Sequence, residues 1–408
     1  MKVKFVVDQL PYPPRNGITI PIWGYLRLMA KNNSIDLVIL CDEEVDIPTL
    51  PERLVELCSS ISVVRRTRRS KFVIALHELL LHRASFVNYK YGAELTLIGV
   101  PSRPDVALAS PIGCIDYIAR AEPASLPVIS GISDLYISVI SDSANAQLRA
   151  GRLLAGLLNR MRYTLLRYLE GKALRRASVF LVQTDRDREW SKKLYPPDLW
   201  TKAFVLPNGV GPELSLPKRT LPAPEPRILF ITSHYIPLYA DAVRWIVKNV
   251  WKDVQRRVPD ARFTLIGRGL TDHSDLARAL EVDPSLEYLP YVEDLSEIYR
   301  RTRVLVVKIN KSYGFINKVA EALAMGIPVV GDQSAFNGLE SATSAGAAFA
   351  AGTAAEMTAR IVELLSNDVA WISAARLAQN EIGPSLRWEE REDLIRQAVA
   401  LSVKGGCL

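Results

Sequence analysis

GFINKVAEALAMGIPVV, Gly314 to Val330, is mostly small and aliphatic, yet it carries a lysine and a glutamate three residues apart, just behind a glycine. The run before it, Val304 to Ile309 (VLVVKI), reads as a buried strand, and NKSYG as a loop. The spacing then predicts a helix in which Lys318 and Glu321 share a face near the start. After Glu321 the side chains shrink to Ala322, Ala324 and Gly326, so the helix can lie close to its sheet. Gly326 and Pro328 end it, and Pro328–Gly331 reads as the next strand. A short apolar strand, a helix and another such strand are one repeat of a parallel α/β sheet covered on both faces.

The same alternation runs outward in both directions. Towards the N-terminus the pattern predicts strands at Ile228–Thr232, Arg262–Ile266 and Leu286–Leu289, with helices at Leu238–Val250, Ser274–Leu280 and Glu293–Arg300. Before these comes LPNGVGPELSLPKRTLPAPEPR (206–227), which has six prolines and no apolar periodicity and reads as a linker. The first half alternates again. Strands are expected near Val3–Val7, 35–41, Ser62–Val64, Asp105–Ala109, Pro127–Ile129 and Val179–Gln183, with a helix carrying Ile20, Trp23, Leu26 and Leu28. Thr184 is placed to cap a helix, with Asp187 three residues on, so the Asp-x-Asp spelling of Asp185 and Asp187 reads as a helix start rather than a metal site. These patterns predict an α/β protein of two Rossmann-like domains whose parallel sheets face each other across a cleft. The expected division is 1–205, 206–385, and a C-terminal helix in 386–408 packing back toward the first domain.

The size fits that division, because 408 residues exceed one ordinary core. With 49% hydrophobic and 23% charged residues the chain reads as a globular protein. The apolar run at the N-terminus is cut by Asp8, so it reads as a strand rather than a signal peptide, and no run is long enough to span a membrane. Cys41, Cys58, Cys114 and Cys407 show no metal or redox spacing and read as free thiols in a reducing cytoplasm. The net charge of +7 lies in the first half, where residues 1–205 hold 28 Lys and Arg against 20 Asp and Glu. RRTRRSK (65–71) and Arg149–Arg176 carry much of it, which suits an anionic partner: nucleic acid, a membrane surface or a phosphorylated substrate.

In open parallel sheets ligands bind beyond the carboxyl ends of the strands. The loop before Lys318 is such a place. Amides at a helix N-terminus favour an anion, and a diphosphate fits there with Lys318 as the point charge. Glu321 can accept both hydroxyls of a ribose, and Gly314 lets a ligand come close to the backbone. The plainer alternative for Lys318 and Glu321 is an exposed ion pair one turn apart.

GFINKVAEALAMGIPVV resembles the donor-site motif of GT-B glycosyltransferases, especially the retaining family-four (group 1) enzymes of bacterial surface-polysaccharide synthesis. LPNGV (206–210) is similar to the sequence that closes the first domain in that family. FITSHYIPLYADAVRWIVKNVW, PDARFTLIGRG and YLPYVEDLSEIYRRTRVLVV follow its second-domain order. The resemblance implies a hexosyltransferase that takes a sugar from a UDP- or GDP-sugar, with no metal ion or other cofactor. Lys318 would hold the diphosphate and Glu321 the ribose. Asn317 would reach the phosphates or the sugar, and the base would rest near Tyr291 and Val292. Ser233 and His234 occupy a loop where the family often binds phosphate, although His234 also fits an ordinary loop histidine. Arg268, in GRG, is either a donor ligand or a solvated arginine. Where the family has a glutamate eight residues before the ribose acid, this chain has Tyr313, which leaves the backbone of Gly314, Phe315 and Ile316 for the sugar. The family's His-Asp pair becomes Ser133-Asp134. Asp134 is then a catalytic or acceptor-orienting carboxylate, or else a cap. Asn16 and Gly17, in PPRNGIT, would lie beneath the donor phosphate and beside the acceptor, or form a plain turn.

The resemblance favours retention, in which the leaving phosphate takes the acceptor's proton; inversion would use Asp134 as base. Arg149–Arg176 has leucines at helical spacing and eight basic residues against one acid. It suits an anionic bilayer surface and a lipid-diphosphate acceptor, with a solvated face on a core helix as the alternative. The expected location is the cytoplasm, with peripheral attachment at the inner face of the membrane. A nucleotide-sugar epimerase and a catalytically silent binding protein share the architecture. Nucleic acid ranks last, because the basic stretches lack interleaved aromatics.

Overall fold

Val3, Phe5, Val6 and Val7 are all fully buried, so the first strand is covered on both faces, as a parallel sheet requires. The computed structural model describes residues 1–14, 16–41, 50–67, 90–91, 103–131, 136–212, 214, 218–232, 237–292, 294–309, 311 and 314–405. These residues form two compact units, 1–208 with 391–408, and 209–390.

The first unit holds β1 (Lys2–Val7), β2 (Ser34–Cys41), β3 (Ser60–Thr67), β4 (Lys90–Tyr91), β5 (Val106–Ser110), β6 (Val128–Gly131), β7 (Val179–Val182) and β8 (Ala203–Val205). They lie in the order β4-β3-β2-β1-β5-β6-β7-β8, with only the short β4 antiparallel. The order reverses direction at β1, so a switch point lies between β1 and β5. The Glu392–Gly405 helix belongs to this unit and buries Ile395 and Ala398 there, and Lys31 Nζ bonds Glu392 Oε2 at 2.7 Å.

The second unit holds β9 (Arg227–Ile231), β10 (Arg262–Ile266), β11 (Leu286–Leu289), β12 (Val304–Val307), β13 (Val329–Gly331) and β14 (Ala348–Ala350), in the order β11-β10-β9-β12-β13-β14. All are parallel. This is the doubly wound order, and its switch point falls between β9 and β12. Two apolar layers cover the sheet. One is built around Trp251, Phe263 and Ile361, the other around Tyr299, Phe315, Val319, Leu323 and Phe336.

Beyond small shifts of boundary, three elements differ from the sequence reading, and the short strands β4, β8 and β14 were not expected from it. The helix expected at 238–250 is Pro237–Ile246, followed by a π-turn at Val247–Trp251 and a further helix, Lys252–Arg257. The helix expected at 293–300 is Ser296–Arg301, because Asp294 accepts the Ser296 amide at 2.9 Å and starts the turn there. The strand expected at 304–309 stops at Val307, and two residues on the Ile309 N–H donates to the Asp332 carboxylate at 2.6 Å instead of a neighbouring strand.

The proline-rich stretch also departs from its reading as a linker. From Gly209 on it belongs to the second unit. Val210 N–H donates to Leu386 O at 2.7 Å, and Val210 bridges to Arg387. Arg219 is buried, and its guanidinium bonds Met325 O at 3.1 Å, Arg300 O at 2.9 Å and Tyr299 O at 2.8 Å. A cation spread over three backbone carbonyls anchors a segment that has no apolar periodicity of its own.

Candidate functional site

Asn317–Ala324 is an eight-residue helix that opens from the loop after β12, at the carboxyl edge of the sheet and beside its switch point. Gly314, with φ +81°, makes the turn into it in the left-handed region that side chains disfavour. Phe315 then drops into the core, and Ile316 is the N-cap in an extended conformation. The apolar Ile316 side chain makes no cap hydrogen bond of its own. The C-terminus closes as a Schellman turn: Gly326 N–H donates to Leu323 O at 3.0 Å and Ile327 N–H to Ala322 O at 2.8 Å. Val319, Ala320, Ala322 and Leu323 form the buried face.

Lys318 is half-buried, and its Nζ donates to Ile231 O at 3.1 Å. Ile231 is the last residue of β9, so the ammonium rests at the end of the switch strand. Burial lowers its pKa to about 8, and the Glu321 charge opposes that shift. One turn on, Glu321 Oε2 accepts from the Tyr299 hydroxyl at 3.3 Å. Tyr299 is fully buried, and burial first, then Glu321, pushes its phenol well above the ordinary value, so it remains a donor. Lys318 and Glu321 are thus both tied to buried structure and not to an exposed helix surface.

On the neighbouring strands, Arg268 follows β10 and Tyr291 follows β11. Both are exposed, and the guanidinium carbon lies 4.6 Å from the ring centroid. Such a contact is worth about 0.5–1 kcal/mol at a surface. Val292 packs instead against the core beneath. Asn317 is half-buried at the first helical position.

In the first unit, Asn16 caps the helix Thr19–Ala30 after β1. Its Oδ1 accepts the amides of Ile18 and Thr19, each at 2.9 Å, and its own amide bonds Thr19 Oγ1 at 3.1 Å. Gly17 is exposed, with open space where a Cβ would stand. Thr184 caps its helix by accepting Asp187 N–H at 3.1 Å, so the Asp-x-Asp stretch is a helix start. Asp134, Ser233, His234 and Tyr313 lie outside the described residues, as do residues 68–71 of the first basic cluster. Among the described residues no group of three or more His, Cys, Asp or Glu side chains could hold a metal ion.

Sequence reasoning passed over three side chains near this edge. Lys308 and Asp332 directly follow β12 and β13 and pair at 2.9 and 3.0 Å, with Lys308 Nζ 4.6 Å from the Trp245 ring. The pair follows from the parallel register of Val307 with Gly331, which sets the two following residues side by side and is not written in the sequence. Tyr299 lies on a different helix from Glu321 and gave no signal.

Residues 225–367 match the family model described as glycosyl transferases group 1. A protein of Haemophilus influenzae named as an uncharacterized glycosyltransferase is 26% identical over 137 residues, 32% of this chain and 38% of that protein. The chain thus matches well under half the length of this curated relative. Among solved structures, Anabaena HepE in complex with UDP and glucose gives a TM-score of 0.60 at 13% identity, covering 97% of this chain and 99% of that one. WaaG, described as a glycosyltransferase involved in lipopolysaccharide biosynthesis, gives 0.62 at 14% identity, covering 96% and 99%. At such identities the likeness concerns the fold. Residues 225–367 of the second unit thus match a group 1 glycosyl transferase domain, within a chain that has the GT-B fold.

Proposed function

We propose that this chain transfers a hexose from a UDP- or GDP-sugar to a glycan or lipid-linked acceptor, with retention at the anomeric carbon and without a metal ion. The observation that carries the reading is Lys318 at the start of the Asn317–Ala324 helix, on the last carbonyl of the switch strand, with Glu321 one turn behind it. The diphosphate lies against the helix N-terminus and Lys318, and Glu321 takes the ribose hydroxyls. The base stacks near Arg268 and Tyr291, and the backbone of Gly314 to Ile316 faces the sugar. Ser233 and His234 serve the phosphates. The first domain receives the acceptor near Asn16, Gly17 and Asp134.

In the reaction the bond between the anomeric carbon and the diphosphate oxygen breaks as the acceptor oxygen bonds the same carbon. The departing phosphate takes the acceptor's proton. Lys318 and the helix amides stabilise the charge that builds on the diphosphate, where one such donor is worth about 2–4 kcal/mol. Release of free nucleoside diphosphate in the presence of acceptor tests the reading. Interconversion of the sugar nucleotide without acceptor would instead indicate an epimerase.

The helix Leu153–Arg176 supports a membrane-surface partner. Leu153, Leu154, Leu157, Met161 and Tyr168 are exposed on it, flanked by exposed Arg152, Arg160, Arg167, Lys172 and Arg175. An apolar stripe edged with cations suits an anionic bilayer. Among the described residues no helix is long and apolar enough to cross a membrane. On this reading the chain works at the cytoplasmic face, where a lipid-diphosphate acceptor would lie.

A further inference from the structure

Glu321 can serve a ribose only if its carboxylate is held in one orientation, and the groups that hold it come from elsewhere in the chain. The Tyr299 hydroxyl donates to Glu321 Oε2 at 3.3 Å. Its ring lies wholly inside the apolar layer that also holds Val319 and Leu323 of the Glu321 helix. A buried phenol needs a hydrogen-bond partner, and here that partner is the acid.

Arg219 fixes the two helices to each other. Its Nη2 and Nη1 bond the carbonyls of Tyr299 and Arg300, at 2.8 and 2.9 Å, near the C-terminus of Ser296–Arg301. Its Nε bonds Met325 O at 3.1 Å, at the C-terminus of Asn317–Ala324. Its own amide donates to Gln379 Oε1 at 2.8 Å. One guanidinium therefore satisfies carbonyls at both helix ends, where a cation is also favoured by the helix dipoles. Burial lowers its pKa only to about 10, so it stays charged near neutral pH. Gly326 admits it: its φ is +70°, and a Cβ there would stand 2.8 Å from Arg219 Cγ.

We infer that Tyr299 is a positioning residue for Glu321, orienting its carboxylate for the ribose hydroxyls, and that Arg219 sets the distance between the two helices that carry this pair. The inference rests on the donor-site reading above. A lysine at position 219 could not span three carbonyls in the same fork geometry.

The test compares affinities for UDP, GDP or ADP, whichever binds best in a thermal-shift screen, with those for its 2′,3′-dideoxy analogue. Calorimetry on the full chain gives the ratio of the two dissociation constants. In the unaltered protein the ratio reports the ribose hydroxyls. Tyr299→Phe removes one hydroxyl and keeps the ring, so the fold should persist; circular dichroism checks this. The expected result is that the ratio falls about fivefold in Tyr299→Phe, while affinity for the dideoxy analogue is unchanged. Arg219→Lys should lower the ratio in the same direction. A purely structural role would weaken both ligands alike and leave the ratio intact, and that result overturns the inference. If Glu321→Ala collapses the ratio but Tyr299→Phe does not, the donor site stands and this inference falls. If Glu321→Ala also leaves the ratio intact, the ribose assignment falls and the inference falls with it.

Discussion

Lys318 bears a charge that its surroundings discourage. With its pKa lowered to about 8, a fraction of the side chain is neutral just above neutral pH. A bound diphosphate favours the ammonium, so binding takes up a proton in that range. Nucleotide affinity should therefore fall as pH rises through about 8, by up to roughly tenfold per unit. Calorimetry between pH 7 and 9.5 checks this. Lys318→Arg, which stays charged, should flatten the curve, and a flat curve in the unaltered protein would remove Lys318 from the phosphates. Lys318→Ala and Glu321→Ala should each raise the transfer barrier by about 2–4 kcal/mol. Lys318→Ala should keep a melting temperature near that of the parent, whereas Glu321→Ala, which leaves the buried Tyr299 hydroxyl without its acceptor, should lower it. Parent-level turnover by either variant contradicts the assignment. At Gly326, alanine would meet both the left-handed φ and Arg219, so Gly326→Ala should cost about 1–3 kcal/mol in denaturant unfolding.

At the scale of elements, the Leu153–Arg176 helix has two distinct faces. Gly156, Asn159, Leu166, Gly171 and Leu174 are buried, while the leucines near its start are outward. Changing Leu154, Leu157 and Met161 together to glutamate should abolish flotation with vesicles containing phosphatidylglycerol. Changing Arg160, Lys172 and Arg175 to glutamine should weaken it in a salt-dependent way. Equal binding of all forms would leave the stripe without a membrane role. The same helix is fastened by Glu170, whose Oε2 accepts from Tyr195 Oη at 2.6 Å. Burial raises the Glu170 carboxyl to about 7, against the lowering effect of that bond. Between about 4.5 and 7 the folded chain holds this proton while the unfolded chain releases it. Stability contributed here is therefore present at low pH and lost as pH rises through 7. Glu170→Gln should match the parent's melting temperature at about pH 4, below the unfolded-chain value, and exceed it at about pH 8.

Across the whole molecule, two doubly wound units each present a helix beside the switch point of their own sheet: Thr19–Ala30 after β1 and Asn317–Ala324 after β12. If the donor belongs to the second unit, nucleoside diphosphate should slow hydrogen exchange most in residues 314–325. Protection strongest in the first unit would reverse the assignment of donor and acceptor.

Most strand positions were legible because parallel strands buried on both faces contain short continuous apolar runs, as in 37–41 and Val304–Val307. Lys318 and Glu321 were legible because both belong to one helix, where spacing alone fixes which side chains are neighbours. Sequence also placed the Thr184 cap, since Thr184 and Asp187 lie within one turn. Tertiary structure decided everything that joins distant segments. The partners of Glu321 and Lys318, Tyr299 and Ile231, are 22 and 87 residues away. Arg219 sits in a proline-rich stretch whose composition reads as linker, and its value comes from carbonyls 80 to 106 residues further on. A backbone carbonyl carries no residue identity, so no pattern of side chains announces it. The chain thus encoded its sheets and its charged helix locally, and only packing supplied the contacts that hold that helix and its acid in place.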